Sequence, residues 1–163
     1  KMATPIPELI AAVLQTRLQQ VTIANGYETN VSLVVRPAPT SDIMPADNQI
    51  IISNGDLARL KEMDCGGNPP AYAYQQSYSI NAVLRPSEKS STPAATLQNK
   101  MTADIVKAIT AGAAWWQMGG NAIQTSWEEI SPYDDTKGAA SGVRFDLVVV
   151  FRCDASNPYN PRG

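Results

Sequence analysis

Between Leu9 and Val21 apolar side chains return at steps of three and four: Leu9, Ile10, Val13, Leu14, Leu18 and Val21, with Gln15, Gln19 and Gln20 off the stripe. This spacing predicts an amphipathic helix. Pro7 suits its first position, where a missing N–H is not needed, and Glu8 then faces the positive end of the helix dipole. Asn25-Gly26 closes the segment. From Thr29 the period changes to two, which predicts a strand with Val31, Leu33 and Val35 on one face, stopped by Arg36-Pro37.

PAPTSDIMPAD reads as a turn-rich connector and NQIIIS as a short strand closed by Asn54-Gly55. DLARLKEMDCGGNPP reads mainly as a loop with room for one helical turn. Beyond it the alternation is clear: Tyr72, Tyr74, Tyr78, Ile80, Ala82 and Leu84 oppose Gln75, Ser77, Ser79, Asn81 and Arg85. Thr92 then caps a second helix with Pro93 at its first position. Its apolar stripe is Leu97, Met101, Ile105, Ala108 and Ile109, and it ends near Gly112. AAWWQMGG is a loop, AIQTSWEEI a strand and SPYDDTKG a turn. The last strand carries Val143, Phe145, Leu147, Val149 and Phe151 on one face and Arg144, Asp146, Val148, Val150 and Arg152 on the other. Strands come in groups, so the fold class is α+β: a mostly antiparallel sheet of about five strands with two helices packed on one face.

Composition narrows the function. A chain of 163 residues, 44% hydrophobic, fits one domain over 1–163, with 154–163 a C-terminal extension. A net charge of −2 and a pI near 5.1 argue against a broad nucleic-acid-gripping face. No apolar run approaches the roughly 20 residues that span a bilayer, and MATPIPELIAAVLQTRL lacks a basic region with a cleavage site; the expectation is a soluble, unexported protein. With no histidine, the commonest general base and nitrogen metal ligand are missing. Cys65 and Cys153 read as free thiols.

Neighbours on a strand point to opposite faces, so Glu128 and Glu129 read as a solvated edge rather than an acid–base pair, and Asp134 and Asp135 are equally weak candidates. DCGGN and MGGN lack phosphate-loop spacing and read as turns. No catalytic, cofactor or metal site is assigned, and the expectation is a non-enzyme. Trp115 and Trp116 either cap the core or anchor a partner, and capping is favoured because large aromatics are mostly buried.

The order of motifs is distinctive: PIPELIAAVLQTRL, a strand stopped at VVRP, AYAYQQSYSINAVLRPSE feeding TPAATLQNKMTADIVKAIT, then WWQMGGNAIQTSW, and finally VRFDLVVVFRCDASNPY. Over nearly its whole length the chain resembles the tail terminator, or tail completion, proteins of tailed bacteriophages. It departs from them in a longer insertion between Asn54 and Pro70. The resemblance implies a virion protein assembled in the host bacterial cytoplasm. Its copies form a ring, commonly a hexamer, on the head-proximal end of the tail tube, stop tube polymerisation and join the tail to neck or head-completion proteins. DNA passes through the lumen without specific binding, and no membrane is involved.

On that reading Val148 and Val150 are covered by the neighbouring subunit. Arg144, Arg152, Trp115 and Trp116 are further contact candidates. The lumen is expected to be neutral or acidic, with loops 89–91 and 131–137 as candidates: Asp134 and Asp135 would repel DNA, whereas Lys89 and Lys137 need partners. In the tail, Tyr159 lies between Pro158 and Pro161, and Arg162 offers a planar donor array to a partner's carboxylate. Two alternatives stay open: another neck or tube protein of the virion, and a small α+β ligand-binding domain or enzyme.

Overall fold

The computed structural model describes residues 4–36, 48–84, 92–135 and 140–162. It contains helices α1 (Ile6–Leu18) and α2 (Ala94–Ile109) and strands β1 (Leu33–Val35), β2 (Gln49–Arg59), β3 (Ala71–Leu84), β4 (Gln124–Asp135), β5 (Ala140–Asp154) and β6 (Asn157–Pro161). The sheet runs β1-β2-β3-β5-β4, with β6 also on β5. β1 joins β2 in parallel; all other pairs are antiparallel. The α+β expectation therefore holds, with six strands rather than about five.

α1 starts one residue before the expected Pro7, after Pro5, whose carbonyl accepts from the Glu8 and Leu9 amides. Ile6, Ile10, Ala11, Leu14 and Leu18 are buried along its stripe. α2 buries Met101, Ile105, Ala108 and Ile109. Both helices join one core with Ile50 and Ile52 of β2, Tyr78, Ile80 and Ala82 of β3, and Phe145, Leu147 and Val149 of β5. That is a single sheet face. The Tyr78 hydroxyl donates to the Pro7 carbonyl at 2.9 Å, tying the start of α1 to the sheet, and burial holds this hydroxyl protonated.

Two expectations change. Of the β1 residues, Val34 is buried while Leu33 is exposed and Val35 half-buried. The alternation is thus out of phase with Leu33 and Val35 facing inward; a three-residue parallel edge strand is aligned by its ladder to Ile50 rather than by its own pattern. β2 does not close at Asn54-Gly55 but bulges between Asn54 and Leu57 and continues to Arg59. The buried Gln76 amide donates to the carbonyls of Gly55 at 2.8 Å and Asp56 at 3.2 Å, satisfying groups that the bulge takes out of the ladder. The expected helical turn is Lys61–Met63.

Candidate functional site

β5 lies between β3 and β4, so its side chains define both faces of the sheet. Phe145, Leu147, Val149 and Phe151 enter the core, and Arg144, Asp146, Val148, Val150 and Arg152 form a row on the opposite face, as the alternation predicts. The register sets Ser77 and Ser126 beside Val148, Gln75 and Gln124 beside Val150, and Asn81 and Ser131 beside Arg144. Neither α1 nor α2 packs on this face, since both bury their stripes in the core on the other side. Its character is polar at the rim and apolar at the centre.

Val148 and Val150 are only 5% and 6% exposed. This corrects the expectation that they await a neighbouring subunit: valine branches at Cβ and stays low, and side chains of both flanking strands fence it in. Arg144 donates from Nε to Asp146 Oδ1 at 3.0 Å and is exposed. Arg152 donates from Nε to the Met63 carbonyl at 3.1 Å, which draws the Lys61–Met63 turn toward this row.

The C-terminal residues also depart from expectation. The chain reverses at Ala155 and Ser156, and β6 pairs with β5 beside Cys153 and Asp154, where β4 has not yet begun. Arg162, expected to offer its donors to a partner's carboxylate, meets one within its own chain: its Nε donates to Asp154 Oδ1. Asn160 Nδ2 donates to the other oxygen of Asp154 at 2.6 Å. Asp154, with a side chain only 8% exposed, is the residue that sequence reasoning missed. Its signal was the short D-A-S-N reversal before Pro158 and Pro161. Pro161 sits opposite Cys153, while the neighbouring Arg162 amide bonds the Arg152 carbonyl, so the proline falls where the ladder needs no donor. Tyr159 is exposed. Under β6, Pro5, Pro7, Leu57, Tyr74, Phe151, Cys153 and Pro158 line an apolar cleft of about 260 Å³.

The tryptophans divide their roles. Trp115 packs against the core, and Trp116 is 40% exposed with its ring edge-on to Trp115 at 6.5 Å. Arg17 of α1 fixes this turn by donating to the carbonyls of Ile109 at 2.6 Å and Trp115 at 3.1 Å. Met118, Gly119 and Gly120 all take positive φ, so the MGGN run is a turn, as expected. A Cβ on Gly119 would come within 3.2 Å of Val13 Cγ2, which shows how closely this turn approaches α1.

Residues 131–135 belong to strand β4 rather than to a loop, with Asp134 paired to Ser141 and Asp135 to Ala140. The continuous hairpin ladder outcompetes the turn signal of Pro132 and the acids, because proline is tolerated on an edge strand. Lys89 and Lys137 lie outside the described residues. Glu128 and Glu129 are exposed beside a bulge on β4. Cys65 is exposed and Cys153 buried, both as free thiols; burial, with Asp154 next to it, pushes the Cys153 thiol up. Among the described residues no group of acids and cysteines could hold a metal ion, and no helix is long and apolar enough to cross a membrane. Comparison of the chain with protein-family models and with curated proteins finds no match.

Proposed function

We propose that this protein is a tail-terminator-like virion component whose copies close into a ring, hexameric by the resemblance, at the head-proximal end of a phage tail tube. The ring ends tube growth and presents a surface to neck or head-completion proteins. The observation that carries this reading is a sheet with both helices on one face and, between two edges that no described residue pairs, a second face bearing the Arg144 to Arg152 row.

A closed ring of identical copies needs two unlike surfaces that match each other. The two edges of this sheet are unlike. One is β4, with exposed Glu128, Glu129 and Ile130; the other is β1 and the outer half of β2, with exposed Leu33 and Leu57 and the Arg59–Asp64 ion pair. Strand edges of this kind are features that natural monomers usually blunt or cover. The ring reading gives them cover. It also agrees with a chain of net charge −2, which lets DNA pass without holding it.

Native mass spectrometry tests the reading. The expected result is a species six times the 17.5 kDa chain mass, alone or with tail tubes of the phage that encodes the protein. A monomer at every concentration that also fails to bind tube ends contradicts it.

A further inference from the structure

The β6 strand is fastened lightly for an element that completes a sheet. All five of its residues are exposed, it contributes none of the core, and its register on β5 is irregular between Cys153 and Asp154. Two of the five are prolines, which give no ladder donor. Its polar fastenings to β5 are the Asp154 carboxylate, gripped by Asn160 and Arg162, and the Arg162 amide on the Arg152 carbonyl; it also lies beside the start of α1, and the Ala155 amide holds the reversal to the Pro70 carbonyl. Every one of these groups on β5 would meet the same partners if β6 came from another copy of the chain. Beneath it the apolar cleft is walled on one side by Pro158.

The reversal at Ala155 and Ser156 is the shortest that a hairpin allows, and short hinges are where an element opens and exchanges. Extended instead of folded back, residues 155–162 reach about 26 Å at the usual rise of about 3.3 Å per residue of a strand. We infer that β6 is an exchange strand: on assembly it leaves its own β5 and pairs with β5 of the next copy, whose Asp154 takes the incoming Asn160 and Arg162. Exchange replaces like contacts by like, so its net free energy is small, and the association is driven by the new surface that the two copies then share. Carried head to tail around a ring, each copy gives one strand and receives one. The inference rests on the ring reading for its partner, a second copy of this chain.

Pro161 faces Cys153 at a site where cross-strand side chains lie closest, so a thiol placed there reports which β5 holds β6. The test is the double variant Cys65→Ser/Pro161→Cys, oxidised after its association state has been read by sedimentation, then run on a non-reducing gel. Covalently linked multimers are the expected result. Ring-sized particles that yield only single chains with consumed thiols would overturn the exchange while leaving the ring reading intact. Linked dimers without rings would support exchange and contradict the ring. Unlinked thiols would also overturn it, since β6 would then lie on neither β5.

A second variant guards against misfolding of the first. Three glycines inserted between Ala155 and Ser156 relax the reversal and favour the self-paired strand, so self-association should fall at least tenfold with an unchanged circular dichroism spectrum. Undiminished association would count against exchange.

Discussion

Asp104 is 3% exposed and accepts hydrogen bonds from the Glu28 amide and from both the amide and the hydroxyl of Thr29, the last two at 2.7 Å. It fastens α2 to the segment leading into β1. Asp104→Ala leaves those donors without their acceptor and should destabilise the fold by about 2–4 kcal/mol in urea unfolding, with Asp104→Asn milder because one acceptor oxygen remains. The clue was present in the sequence: an aspartate falls between Met101 and Ile105 on the apolar stripe, where a charge needs buried partners. What the sequence withheld was the identity of those partners, 75 positions away.

Glu8 and Arg36 form a two-toothed ion pair with contacts of 2.5 and 2.9 Å. The Arg36 guanidinium holds the Glu8 carboxyl below its ordinary value. A depressed folded value means the contribution is complete above the unfolded glutamate range, near pH 4.3, and is lost as pH falls through the lower folded value. The stability difference between the native chain and Glu8→Gln should therefore be flat from pH 7 to about 5 and shrink below about 4. Exposure of both groups keeps it near 0.5 kcal/mol or less. A difference that grows on acidification would contradict the pairing.

At the scale of elements, the β2 bulge ties sequence to shape most tightly. A Cβ on Gly55 would lie 3.1 Å from Ser77 Cβ, and Ser77 is held in β3 between β2 and β5. Gly55→Ala should cost about 1 kcal/mol, and Ser77→Gly in the same chain should recover part of that loss, as a double-mutant cycle would read. Without the close approach the two changes would simply add. The turn letters Asn54-Gly55 predicted the end of the strand; a bulge uses the same backbone freedom, and only the tertiary partner Gln76 distinguishes the two. Long strands buried on one face were legible: β5 and most of β3 follow their alternation, because the hydrophobic pattern itself sets their register. β1 and β6 were not, since three or five residues carry too little pattern and neighbours decide their alignment.

At the scale of the molecule, grouped strands around one crossover helix made the α+β class readable from the chain alone. The assembly candidates were less so. Alternation aligned Arg144, Val148, Val150 and Arg152 on one face, but it could not show that the subunit buries the two valines itself or that Arg162 is held by Asp154. If the proposed ring surrounds DNA without gripping it, the protein should not retard duplex DNA in a mobility-shift experiment at about 0.15 M salt. Retention with a steep salt dependence would point instead to a basic channel.

The most direct measurement of the central claim is electron microscopy of tail tubes mixed with the gold-labelled protein. The account predicts label at one end of each tube, a ring in end-on views, and no further growth from that end when tube subunits are added. Label scattered along the tubes, or capped tubes that continue to lengthen, would contradict it.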